Sequence, residues 1–80
     1  MTSIIIKKIS LGKYQHYKGN FYEVLGVARH SETLEELVVY KALYTSKEFG
    51  RGSLWVRPKA IFLGKVEVNG KKVPRFKFIS

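Results

Sequence analysis

The chain predicts an all-β fold, a small barrel of about five to six short strands with at most one short helical turn. Three observations lead there. Short runs of β-branched and aromatic residues recur along the 80 residues with turn chemistry between them. The dipeptide Asn69-Gly70 separates two such runs and is the favoured two-residue hairpin turn. A chain this short buries only about 60% of the surface its unfolded form exposes, so it holds one core, and closing the strands into a barrel removes exposed sheet edges.

Met1 to Ser10 reads as an N-terminal extension or an extra strand, and residues 11–80 as a single domain. Gly12 to Tyr17 alternates, with Tyr14 and His16 on one side, and Lys18-Gly19-Asn20 follows as a turn. Phe21 to His30 is a long strand that Gly26 bends or bulges. From Leu34 two patterns compete. Thr33 with Glu36 fits a capping box, and Leu34, Leu37 and Val38 have helical spacing, but Val38-Val39-Tyr40 and Leu43-Tyr44-Thr45 are β-prone. The strand is preferred, over Glu36 to Tyr44. Ser46 to Gly52 reads as loop and Leu54 to Arg57 as a strand, which Pro58 stops because it has no N–H to give. Ala60 to Gly64 fits one helical turn; Val66 to Val68, the Asn69-Gly70 turn, Val73 and Phe76 to Ile79 read as a final hairpin.

Composition bounds the function. Hydrophobic residues at 45% and aromatic residues at 14% suit a folded globule, and 26% charged residues is too few for a disordered tail. Fifteen Lys+Arg face six acids, all of them glutamate, for a net charge of +9. The basic residues gather after residue 50. With no cysteine, disulfides, thiolate zinc sites and thiol nucleophiles are all excluded, and two histidines make a metal staple unexpected. No metal and no cofactor is expected. The Ile4-Ile5-Ile6 run is far short of the roughly 20 apolar residues of a membrane span, and it lacks the order of a signal peptide. The expected location is the cytoplasm, with no membrane partner.

Three groups of residues could carry chemistry. His16, and His30 with Glu32 and Glu35, would be the catalytic set of a small hydrolase or nucleotide-processing enzyme, but sequence neighbours on a strand point to opposite faces. His30 with Ser31 and Thr33 therefore reads first as a turn closed by side-chain to backbone bonds. The aromatic residues are more numerous than a small barrel interior hides, so some must meet water or a ligand. Trp55 and Arg57 share one face of their strand, and Leu54 and Val56 the other; periodicity leaves open which pair faces the core. The outer placement would make Trp55 a stacking platform with a cation beside it. Arg57 precedes a proline and Arg75 follows one, so both sit in restricted backbone suited to bidentate phosphate or carboxylate binding, unless each pairs with a glutamate such as Glu23 or Glu35.

The motifs Gly12-Lys13-Tyr14-Gln15-His16-Tyr17-Lys18-Gly19, Tyr22-Glu23-Val24-Leu25-Gly26, Ala28-Arg29-His30-Ser31-Glu32-Thr33, Glu36-Leu37-Val38-Val39-Tyr40, Leu54-Trp55-Val56-Arg57-Pro58 and Val73-Pro74-Arg75-Phe76 stand in an order that resembles the bacterial family called domain of unknown function 1653, over residues 11–79. Leu34 stands where a turn former such as glycine is expected, and Ile61 where methionine is usual. The resemblance implies an SH3-like small β-barrel and no assigned reaction.

The sequence thus favours a non-enzymatic module, a monomer or weak homodimer, that binds an anionic ligand, nucleic acid or nucleotide first and acidic peptide second; the alternatives are the small hydrolase or nucleotide-processing enzyme and a peptide or protein interaction domain. Its expected ligand-binding residues are Tyr14, His16, His30, Trp55, Arg57 and Arg75.

Overall fold

The computed structural model describes residues 9–80; the Ile4-Ile5-Ile6 run and most of the N-terminal extension lie outside them. Strand β1 (Gly12–His16) turns at Lys18-Gly19 into the nine-residue β2 (Phe21–Arg29). β2 pairs antiparallel with β3 (Glu36–Ala42), and the register shifts between Val24 and Gly26, the bulge expected at the glycine. The helix weighed for this stretch does not form: alternate residues Val38, Tyr40 and Ala42 are buried, which is strand periodicity. β3 ends two residues before the expected Tyr44, where the chain bends outward.

The segment expected to be loop carries a two-rung hairpin, β4 (Thr45–Ser46) with β5 (Gly50–Arg51). Next comes β6 (Leu54–Pro58), paired with β3; it runs one residue past the expected end at Arg57, and Pro58, opposite Leu37, is its last rung. The helical turn α1 (Lys59–Phe62) starts at that proline and is tied to β3 by the Lys59–Glu36 ion pair at 3.3 Å. β7 (Lys65–Val68) and β8 (Lys71–Pro74) form a hairpin of their own, in which Asn69 (φ 52°) and Gly70 (φ 79°) both take left-handed backbone, the geometry of the turn that Asn-Gly favours. β9 (Phe76–Phe78) does not extend this hairpin, contrary to the sequence reading. It crosses to β1, pairing Tyr14 with Phe78 and His16 with Phe76.

The main sheet has the order β6-β3-β2-β1-β9. Among the described residues its strands are not closed into a barrel by hydrogen bonds: β6 and β9 are its two edges. The sheet is nevertheless strongly curled. Three strand spacings of about 4.8 Å separate β3 from β9 in a flat sheet, yet the Tyr40 and Phe76 rings lie 5.4 Å apart. Side chains fill the hollow so made: Tyr14, Val24, Val38, Tyr40 and Phe76 from the strands and Phe62 from α1 are buried together. Phe62 stacks on Phe76 at 4.1 Å and 9°, plugging one end.

On β6 the outward residues are Leu54 and Val56, 64% and 59% exposed, while Trp55 and Arg57 turn into the hollow beside Tyr40 and Val38. Periodicity allowed either assignment, and cross-strand register decides it. Trp55 is not on the convex surface, yet the aliphatic pair has no covering layer among the described residues.

Candidate anion-binding cleft

The end of the hollow opposite α1 stays open as a cleft of about 410 Å³. β2 and β3 floor it with Tyr22 and Tyr40, whose rings meet edge to face at 5.3 Å. Tyr44, just past β3, joins them through a 2.8 Å hydrogen bond between its hydroxyl and that of Tyr22. Burial and this bond push the Tyr22 phenol well above its ordinary range, so it remains an O–H group at any physiological pH. The β4–β5 hairpin adds Phe49, which stands perpendicular to Trp55 at 5.0 Å. The indole N–H of Trp55 donates to Ser53 Oγ at 2.8 Å, which fixes the ring's orientation. The result is a rigid aromatic wall with a partly open indole.

Cations face that wall. Arg57 donates from Nε to the Tyr40 hydroxyl at 3.2 Å, and its guanidinium carbon lies 5.6 Å from the centre of the Phe76 ring. Arg75 enters from the residue before β9, and its Nε is buried with no hydrogen-bond partner. Lys18 and His16 complete the rim from the β1–β2 turn. Neither arginine forms the ion pair with Glu23 or Glu35 that would have neutralised it; among the described residues the salt bridge is Lys59–Glu36. No carboxylate lines the cleft.

That field acts on His16. Its imidazole is held below the ordinary value of 6.5, first by partial burial and then by Arg57, Arg75 and Lys18. The neutral ring is therefore favoured. An anion seated among these groups offsets the three cations, so it should raise the His16 pKa, and by linkage its own binding should tighten as pH falls through the titration of the His16 ring. An NMR titration of the His16 ring with and without a bound phosphate-bearing ligand checks this: the midpoint moves up on binding, whereas an unchanged midpoint would mean the anion sits elsewhere.

Of the six expected ligand-binding residues, His16, Trp55, Arg57 and Arg75 come together here. Tyr14 does not. It shares the inward face of β1 with His16 but lies deeper, packed edge-on against Phe62 and Phe78, with its hydroxyl donating to the Ser10 carbonyl at 2.7 Å. Tyr14 is core. His30 is also elsewhere, at the far end of β2, nine residues or roughly 30 Å of extended chain from the β1–β2 turn. Its Nδ1 accepts the backbone N–H groups of Glu32 and Thr33, so it organises the turn into β3. Leu34, at the position where glycine was expected, takes φ 63° in that turn. His16, His30, Glu32 and Glu35 therefore do not form one catalytic set.

Tyr22, Tyr40, Tyr44, Phe49 and Lys18 are among the cleft residues that the sequence reading did not assign. Alternation with Val24 and Val38 could have placed Tyr22 and Tyr40 on the inner face. Phe49 carried no such signal, because its hairpin has only two rungs.

The family model described as "Protein of unknown function (DUF1653)" matches residues 12–78. The fold is similar to the crystal structure of a DUF1653 protein from Bordetella bronchiseptica, with a TM-score of 0.79 and 35% sequence identity, covering 89% of this chain and 87% of that one. No curated protein matches.

Proposed function

Because this chain belongs to the DUF1653 family, whose description assigns no reaction, we propose its function from the cleft itself: a non-enzymatic binding module that takes a nucleotide unit. The base stacks on the Trp55–Phe49 side, and the phosphate is held by Arg57 and Arg75 with His16 at the rim. One observation carries the reading. Two arginines without carboxylate partners among the described residues face a fixed aromatic wall across a space that suits one small ligand.

The reading treats the curled sheet as an SH3-like small barrel left open along one seam. The 5.6 Å approach of Arg57 on β6 to Phe76 on β9 supports it, since those strands are the two edges of the sheet. Cytoplasm is the compartment it assigns; no helix among the described residues is long and apolar enough to cross a membrane.

Trp55 is the only tryptophan in the chain and so reports on its own cleft. Uridine 5′-monophosphate should quench its fluorescence, and uridine, which lacks the phosphate, should bind at least about tenfold more weakly, a difference of ~1.4 kcal/mol. If neither fluorescence nor calorimetry detects any nucleotide at millimolar concentration, the reading fails.

A further inference from the structure

Val38, Tyr40 and Ala42 fill the core side of β3, so Leu37, Val39 and Lys41 face outward. Strand register extends them into rows across three strands. Ala28–Leu37–Pro58 and Gly26–Val39–Val56 hold no polar side chain, and Glu23–Lys41–Leu54 sets one acid beside one base. A sheet with one solvated face alternates apolar and polar residues, yet Leu37 and Val39 give β3 an apolar outer side as well. On β6 the exposed Leu54 and Val56 stand up from this face as a ridge. On β2 it has a hollow, because Gly26 carries no side chain and a Cβ placed there would meet no atom within 4 Å. β3 runs between the ridge and the hollow.

We propose that this outer face docks a second copy of the chain, related by a two-fold axis along β3. Such an axis lays β2 of one copy over β6 of the other. Val56 of each copy then enters the hollow at Gly26 of its partner, and the two Val39 side chains meet, so the face is complementary to itself. Charge points to the same occupant. The chain carries +9, but the three rows hold one glutamate and one lysine, which cancel, so two chains approach here with little repulsion. Neither Glu23 nor Lys41 has a salt-bridge partner among the described residues. The Lys41 stem lies against Gly52, away from the apolar rows. The same axis brings Glu23 of each copy beside Lys41 of the other. Three strands about 4.8 Å apart and five residues of about 3.4 Å make a face of roughly 14 by 17 Å. That is small beside the roughly 800 Å² per partner of a stable complex, so the dimer is weak, with a dissociation constant on the order of 0.1–1 mM. The cleft opens on the opposite side of the sheet, so this surface does not depend on the nucleotide reading.

The test is sedimentation equilibrium of the full chain from about 20 μM to about 2 mM, a range that brackets the expected dissociation constant. The mass should rise from 9.2 kDa toward twice that value and no further. Raising the salt from about 50 to about 500 mM should strengthen the association by screening the two charges of +9, the opposite of its effect on a phosphate ligand. Val56→Glu places a carboxylate at the contact and Gly26→Gln fills the hollow. Each should weaken the dimer at least about tenfold and leave the unfolding midpoint of the dilute protein near the wild-type value. Val56→Glu also lowers the net charge, which by itself favours association, so its loss reports the contact and not repulsion. Lys72→Glu, on the β7–β8 hairpin, should not weaken the dimer. A mass of 9.2 kDa at every concentration, or a mass beyond twice that, would overturn the proposal. So would wild-type association in both Val56→Glu and Gly26→Gln. If the chain stays monomeric while Val56→Glu destabilises it at low concentration, the face is covered by the chain's own residues and not by a second copy.

Discussion

Phe76→Ala should lower the folding free energy by about 3–5 kcal/mol, the range for truncating a buried aromatic residue. The size follows from position. Phe76 stacks on Phe62, meets Tyr22 and Tyr40 edge to face, and lies under the Arg57 guanidinium, so one ring joins α1, β2, β3, β6 and β9. Small domains hold only about 5–15 kcal/mol in total, so a large share of the margin goes. Urea unfolding gives the measurement, with Phe78→Ala as the control: Phe78 is in the same strand but 47% exposed. Equal midpoint shifts for the two variants would contradict the central placement of Phe76.

Arg75→Met should change binding and stability in opposite directions. Charge-assisted hydrogen bonds to a phosphate contribute about 1.5–3 kcal/mol, so affinity for uridine 5′-monophosphate should fall roughly ten- to a hundredfold. The unfolding midpoint of the free protein should stay level or rise, because the substitution removes a buried Nε that has no partner. Arg57→Met should weaken binding too, but at some cost in stability, since Arg57 also donates to the Tyr40 hydroxyl and covers Phe76. A destabilised Arg75→Met protein with unchanged affinity would make Arg75 a structural residue and remove it from the site.

The features that the sequence made legible are those set by a few adjacent residues. Asn69-Gly70 forces its turn, Gly26 marks its bulge, and Pro58 both ends β6 and admits α1. The destination of β9 was not legible in this way. Pro74-Arg75 continues an apparent hairpin, and only the distant partners Tyr14 and His16 draw Phe76 and Phe78 away to β1. The same holds at the cleft. Alternation showed that Trp55 and Arg57 share a face, but whether that face looks inward depends on the pairing of Trp55 with Tyr40, fifteen positions earlier in the chain. Tyr14 and His30 were misplaced for a related reason. Residue type gives no depth along a strand, and an imidazole committed to a turn has the same letter as one on a cleft. Barrel closure was inferred from strand number, whereas the two edge strands are bridged by side chains and not by a ladder.

The pairing of β1 with β9 bears on the order in which the molecule is built. The β1–β2–β3 meander joins neighbours in sequence and can zip locally, whereas Tyr14 and Phe78 are brought together across most of the chain. Such non-local pairing slows folding, because the entropy of closing the long loop is lost before the contact stabilises anything. Until Phe76 arrives, Phe62 has no stacking partner and the hollow has no complete core; Arg75 arrives with it. A nascent chain that has emerged only as far as β8 therefore carries the meander but neither the finished interior nor the anion cleft. The interior and the cleft are therefore completed in one step, when β9 pairs with β1.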